Sequence, residues 1–304
     1  MKYLNLSKGF NPYDAEDSEL IDFESFIFSG GEPHIKLDFS TFNDYDSVTI
    51  THRINNMNDL GLLMVAISAL DRLRVFHRFL FLPYFPGARQ DRVMVQGEPL
   101  TVWMYAVIIN KMRFSKVTIL DPHSDVTEVA VVNSEIINNH KFVEQALNDL
   151  NFNISKYHLI SPDAGSNKKI KDLAIYLNGP NVIKCDKTRN TSTGKITGFE
   201  VYADDLLGQP CVIVDDICDG GGTFLGLAKE LEKKNAGDLY LIVTHGIFSK
   251  GPTELIKHFK CIYTTDSIGN VQYLTSDYSR VGTKLASDRV KTSQLKEIKI
   301  KDIL

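Results

Sequence analysis

The sequence predicts an α/β protein made of two similar domains, each a mainly parallel sheet flanked by helices. Three observations predict it. Short apolar runs alternate with segments of helical period, the second half of the chain repeats the rhythm of the first, and 304 residues suffice for two domains of ordinary size. Apolar strands that alternate with helices have both faces covered, and that arrangement demands a parallel sheet with crossover connections.

The elements follow in order. "SVTITHRI" (47–54) reads as a strand. "NDLGLLMVAISALDRL" (58–73) places Leu60, Leu63, Met64, Ile67 and Leu70 on one stripe, as a helix packed on a sheet would. "FLFLP" (79–83) is a strand, "LTVWMYAVIINKM" (100–112) a helix and "VTILD" (117–121) a strand. The second series begins with "YHLISPD" (157–163), "KKIKDLAIYL" (168–177) and "NVIKCD" (181–186). It continues with "CVIVDD" (211–216), a helix near 223–234, "LYLIVTHG" (239–246) and "CIYTTD" (261–266). The polar "NNHKF" marks the join, which divides the chain into domains at 1–142 and 143–304, with the last helix expected to pack back on the first. "KTRNTSTGKITG" (187–198) is the one long polar, Gly- and Thr-rich stretch and reads as a flexible loop.

Composition excludes several classes. The chain is 43% hydrophobic and 24% charged, the balance of a folded soluble protein. A formal charge of −4 gives no global attraction to nucleic acid or to an anionic membrane, so an anion site must be built locally. The first twenty residues hold no continuous apolar segment of the secretory type, and no run of about 18 apolar residues suggests a membrane span. Cys185, Cys211, Cys218 and Cys261 are scattered without a CxxC pair, as reduced thiols of a cytoplasmic protein would be.

The chemistry concentrates in "VIVDDICDGGGTF" (212–224). A strand at Val212–Val214 delivers Asp215 and Asp216 to the carboxyl edge of a parallel sheet, where ligands bind. Gly220, Gly221 and Gly222 permit a tight turn, and a helix starting near Thr223 aims its positive end at the turn. That loop suits a phosphate, whereas carboxylates repel one. A ligand carrying both a phosphate and vicinal hydroxyls resolves the conflict, and a sugar 5-phosphate fits. The plain alternative is a strand end followed by a turn. The stretch lacks the Gly-Lys-Ser/Thr of a P-loop, and its acids lie inside the turn, unlike those of a dinucleotide fingerprint.

"VIVDDICDGGGT" resembles the phosphoribosyl-diphosphate (PRPP) binding signature of the type I phosphoribosyltransferase fold. Five further stretches are similar to PRPP synthetase, the ribose-phosphate diphosphokinase family, and occur in its order. They are "PYFPGARQDR" (83–92), "LDPHSD" (120–125), "SPDAGSNKKI" (161–170), "DKTR" (186–189) and "THGIFS" (244–249).

The resemblance implies two phosphoribosyltransferase-type domains and transfer of the β,γ-diphosphoryl group of ATP to the 1-hydroxyl of ribose 5-phosphate. It implies that Arg89 and Gln90, with Arg92 beside them, bind ATP, a role that suits the forked donors of arginine. Lys187 and Arg189 would act on the transferring group from a closing loop. Asp215, Asp216, Asp219, Gly220, Gly221, Gly222 and Thr223, joined by Arg189, would hold ribose 5-phosphate. Mg²⁺ is implied at His123 and Asp163, with Asp125 behind them. "FSGGEP" (28–33) is similar to the element that reaches the adenine of a neighbouring subunit through Phe28 and Glu32, which implies a homo-oligomer built from dimers, with hexamers the family pattern. The sequence departs from that pattern at Gly30, where Asp or Asn is common, at Gly87, where Tyr is common, and at Gly220, where Thr is frequent. Two other readings fit parts of the pattern. A phosphoribosyltransferase that consumes PRPP does not account for "ARQDR", and a non-catalytic associate does not account for the retained Lys187, Arg189, His123 and Asp163.

Overall fold

The computed structural model describes residues 1–40, 47–152, 156–189, 196–270 and 294–304. They form two compact units, one of residues 1–138 with 300–302 and 304, the other of residues 139–299 with 303.

The first unit is built on a five-stranded parallel sheet. Its strands, in spatial order, are β1 (Lys2–Asn5), β4 (Val48–Thr51), β5 (Arg78–Leu82), β6 (Lys116–Leu120) and β7 (Ser134–Ile137). A separate antiparallel hairpin, β2 (Phe23–Ile27) with β3 (Pro33–Leu37), is inserted after β1. Helix α1 (Met57–Arg72) starts where the Asn56 side chain accepts the N–H groups of Asn58 and Asp59, while Asp59 Oδ2 accepts the Asn56 N–H at 3.0 Å. That reciprocal capping supplies partners for donors the first turn leaves open.

Leu60, Leu63, Ala66, Ile67 and Leu70 of α1 pack with α2 (Thr101–Lys111), α3 (Asp125–Ala130) and one face of the sheet. Met64, expected on the buried stripe, is 50% exposed. It lies one helical step outside the face defined by Leu60, Leu63 and Ile67. The opposite face of the sheet buries Phe81 and Leu120 against Phe10 and Ile300, the latter from the returning C-terminal segment.

The second unit carries a seven-stranded sheet in the order β10 (Ile196–Val201), β9 (Asn181–Arg189), β8 (His158–Ser161), β11 (Cys211–Cys218), β12 (Leu239–Gly246), β13 (Phe259–Thr265) and β14 (Leu295–Ile298). All neighbours run parallel except β9 and β10. Helices cover both faces. On one, α6 (Gly222–Lys233) and α7 (Thr253–Ile256) bury Phe224, Leu227, Leu231 and Leu255. On the other, α4 (His140–Asp149) and α5 (Asn167–Tyr176) bury Phe142, Ala146, Ile170 and Leu173. β8 is followed in sequence by β9 on one side and by β11 on the other. The connections therefore diverge there, and the carboxyl ends of β8 and β11 flank a crevice of the kind in which such sheets bind ligands.

Two expectations are corrected. The polar stretch 187–198 is strand at both ends: β9 runs to Arg189 and pairs antiparallel with β10 from Ile196, and residues 190–195 lie outside the described residues. Cross-strand hydrogen bonding, which a composition of Thr, Gly and Lys does not advertise, makes its two described ends strand. Similarly, β11 does not end at Asp216, as 211–216 implied, but continues to Cys218, with Asp215 opposite Val243 and Ile217 opposite His245 on β12. The neighbouring strand satisfies the backbone there, so the chain stays extended through its charged residues.

Candidate active site

In the second unit the functional groups gather at the crevice. Asp163 stands just beyond β8. Its Oδ1 accepts the Ser166 N–H at 3.0 Å, its backbone carbonyl accepts the Ser166 hydroxyl at 2.8 Å, and its other carboxylate oxygen pairs with the Lys187 ammonium from β9. The side chains of Lys187 and Asp163 are 19% and 20% exposed, so solvent screens the pair only in part. Burial alone would raise the Asp163 carboxyl. The hydrogen bond and charge of Lys187, with the Ser166 N–H, outweigh it and hold the group below its ordinary value.

Asp215 behaves in the opposite way. Desolvation, then the charge of Asp216 and the hydrogen bond between the two carboxyl groups, and finally Asp163, push it well above the carboxylate range, although the Asp216 N–H donates to its Oδ1 at 2.9 Å. Three carboxyl groups thus share one sheet edge with one ammonium group among them. A proton, a hydroxyl donor or a cation supplied there would relieve the repulsion.

The loop after β11 turns at Gly221, whose φ of +74° is a left-handed conformation suited to glycine. A β-carbon there would also lie 3.2 Å from the Leu255 side chain. Gly221 caps α6, so the N–H groups of Gly222, Thr223 and Phe224 lie in the first helical turn and have no acceptor within the helix. They form the donor side of an anion cradle. Gly222, Thr223 and Phe224 therefore present backbone donors on the loop that follows Asp215 and Asp216, the combination that the sequence suggested for a sugar phosphate.

In the first unit a second set of predicted residues meets at the ends of β5 and β6. Arg89, Gln90 and Arg92 are exposed on the loop after β5, whereas the Asp91 side chain between them is only 6% exposed. Burial would raise Asp91. The hydrogen bond from Arg92, then the charges of Arg92 and His123, lower it instead. Asp91 thereby anchors Arg92 and lies within electrostatic reach of His123, which is exposed. Sequence reasoning passed over Asp91 and Ser166 because neither is a transferring or ligating group. The signal was present in "RQDR" and "SPDAGS", each of which sets a hydrogen-bonding residue among functional ones. Gly87 has a φ of +72° and a β-carbon there would lie 2.9 Å from Thr101 Cγ2, which accounts for glycine in place of tyrosine.

Phe28 is 51% exposed on the β2–β3 hairpin, its ring 4.8 Å from that of Phe26 and 5.6 Å from that of His34. A β-carbon on Gly30 would lie 2.6 Å from Glu32 Oε2, so the Glu32 carboxylate folds into the space that the glycine leaves. The side chain of Arg189 lies outside the described residues. Among the described residues, no cluster of three or more His, Cys, Asp or Glu forms a ready-made metal site.

The comparisons with known proteins agree with this architecture. Residues 130–279 match the phosphoribosyl transferase domain family. Over 266 residues the chain is 30% identical to "Putative ribose-phosphate pyrophosphokinase 2" of Streptococcus pyogenes serotype M3, covering 82% of this chain and 78% of that protein. It is 32% identical over 209 residues to the ribose-phosphate pyrophosphokinase of Bradyrhizobium diazoefficiens, covering 68% of this chain and 65% of that one. The crystal structure of phosphoribosylpyrophosphate synthetase from Mycobacterium smegmatis superposes with a TM-score of 0.77 at 19% identity, over 99% of this chain and 95% of its own. The fold and the glycine-rich loop thus define a protein of the phosphoribosyltransferase fold, with two domains of that type. Within that class the chain belongs to the ribose-phosphate pyrophosphokinase (PRPP synthetase) family. No helix among the described residues is long and apolar enough to cross a membrane.

Proposed function

We propose that this protein is a cytoplasmic ribose-phosphate diphosphokinase that transfers the β,γ-diphosphoryl group of ATP to the 1-hydroxyl of ribose 5-phosphate, giving PRPP and AMP. The observation that supports this most is the pairing, at one sheet edge, of a phosphate cradle with Asp215 and Asp216, across from the Lys187–Asp163 pair.

The chemistry follows from charge. The 5-phosphate sits on the N–H groups of Asp219 to Thr223, and the sugar hydroxyls donate to Asp215 and Asp216. Binding thereby replaces carboxylate repulsion with hydrogen bonds. The 1-hydroxyl oxygen, held in line, attacks the β-phosphorus of ATP, the bond from that phosphorus to the α,β-bridging oxygen breaks, AMP leaves, and the hydroxyl proton passes to solvent. Such a transfer needs positioning and charge neutralisation more than covalent participation. Lys187 leaves Asp163 to reach the phosphoryl oxygens, with Arg189 as its partner. Arg89, Gln90 and Arg92 clamp the triphosphate, and Phe28 and Glu32 take the adenine of a neighbouring subunit.

The donor set is compatible with Mg²⁺, since Asp163 offers hard oxygen atoms and magnesium takes few protein ligands, with water and substrate phosphates completing its shell. Metal is proposed at Asp163 in the second unit and at His123 in the first. When bound, the ion would neutralise part of the charge on the phosphoryl oxygens.

The direct test incubates the protein with ATP, Mg²⁺ and ribose 5-phosphate and follows both products. Equimolar AMP and PRPP are expected. Hydrolysis of ATP to ADP, or no turnover with material that binds both substrates, would refute the assignment.

A further inference from the structure

The segment after β12 supports the phosphate loop from behind. The N–H groups of Ile247 and Phe248 donate to the Cys218 carbonyl at 2.9 and 3.0 Å, and that of Ser249 donates to the Asp219 carbonyl at 3.2 Å. These bonds engage the loop's carbonyl side and leave its N–H side toward the ligand. The next residue, Lys250, then lies along the loop itself. A β-carbon on Gly220 would be 3.4 Å from both Cδ and Cε of Lys250, so the lysine stem crosses the position where residue 220 has no side chain. Lys250 is exposed and makes no ion pair among the described residues.

The charge balance of the loop gives this placement its meaning. A sugar phosphate carries about −1.5 to −2 charges at neutral pH, judged from other phosphate monoesters. A helix N-terminus offers the equivalent of only about +0.5. Asp216 and Asp219 add negative charge to the same turn, and the Lys187 ammonium is engaged by Asp163. The loop is therefore short of positive charge by about one or more elementary units, and Lys250 stands where one can be delivered.

We propose that Lys250 is a ribose 5-phosphate-binding residue, its ammonium group serving as counter-charge to the 5-phosphate above Gly220. The inference rests on the function proposed above and extends it to a residue outside the recognised motifs.

The test compares the wild type with Lys250→Met and Lys250→Arg. Steady-state kinetics are measured for both substrates, and calorimetric binding of ribose 5-phosphate and of ribose is measured alongside. Lys250→Met is expected to raise KM and Kd for ribose 5-phosphate about ten-fold, the loss expected for one partly exposed charge-assisted hydrogen bond. KM for ATP should stay within about two-fold, and the defect should shrink at high salt as the charge is screened. Lys250→Arg should stay within about three-fold of the wild type, because it keeps the charge. An unchanged KM and Kd in Lys250→Met, or an equal rise for ATP, would overturn the proposal while leaving the wild-type reaction as evidence for the function. If the wild type neither binds nor converts ribose 5-phosphate, the functional reading fails, and the proposal with it.

Discussion

Replacing Lys187 by alanine separates the catalytic and structural parts of the Lys187–Asp163 pair. Both side chains are about one-fifth exposed, so the pair is neither a free surface contact nor fully buried. Removing one member of a buried pair costs about 3–5 kcal/mol, and of an exposed one about 0–1 kcal/mol. The geometry here argues for about 1–3 kcal/mol at neutral pH, because Asp163 is left facing Asp216.

The pH dependence has a defined sign. Lys187 lowers the folded-state value of Asp163, so its stabilisation is present above the unfolded carboxyl value of about 3.9 and is lost as pH falls through the lowered folded value. The stability difference between wild type and Lys187→Ala, followed by urea unfolding, should therefore be full at pH 7 and vanish in acid. Catalysis should suffer more. If Lys187 engages the diphosphoryl group mainly in the transition state, kcat should fall about 10²–10³-fold with KM for ATP within about three-fold. Adding Asp163→Asn should recover stability by removing the orphaned carboxylate, but should not recover kcat. Recovery of kcat in the double variant would mean that Lys187 serves only to neutralise Asp163, and the transition-state role would be refuted.

Three further outcomes are expected. Asp215→Asn should raise the ribose 5-phosphate KM at little cost to ATP, by a loss of about 1.5–3 kcal/mol in binding. It should also stabilise the ligand-free protein at pH 7, since the raised folded value of Asp215 means stability is lost as pH climbs from about 4 through that value; a thermal melt showing no gain at pH 7 would contradict the crowded-carboxylate picture. Gly221→Val should cost at least about 1–2 kcal/mol, because the left-handed turn and the Leu255 contact both oppose it, and should weaken ribose 5-phosphate binding; a normal melting temperature would exclude the strained geometry. If Phe28 and Glu32 complete a neighbour's site, light scattering should show an oligomer. Mixed inactive Glu32→Ala and Lys187→Ala subunits should then regain activity once exchange is verified, and an active monomer would rule out a shared site.

The composition of the site and the order of its parts are written in the chain. Asp215, Asp216 and the three glycines are contiguous, so the acid edge and the phosphate turn are legible as one short string. The apolar periods of 58–73 and 211–214 specify a helix and a buried strand because burial of a face is a local, periodic property. Which charges meet depends on the folded chain. Lys187 lies 24 positions after Asp163, and only the parallel pairing of β8 with β9 sets the ammonium against the carboxylate. The reversal of strand order between β8 and β11, which opens the crevice, depends on long-range hydrogen bonding that no local window contains. The same holds for Lys250, an ordinary lysine in sequence, which the backbone bonds from Ile247, Phe248 and Ser249 carry onto Gly220. It holds too for the opposed shifts of Asp163 and Asp215. Two chemically identical side chains differ because one faces an ammonium group and the other faces carboxylates, and electrostatic energy depends on distance in space, not separation along the chain.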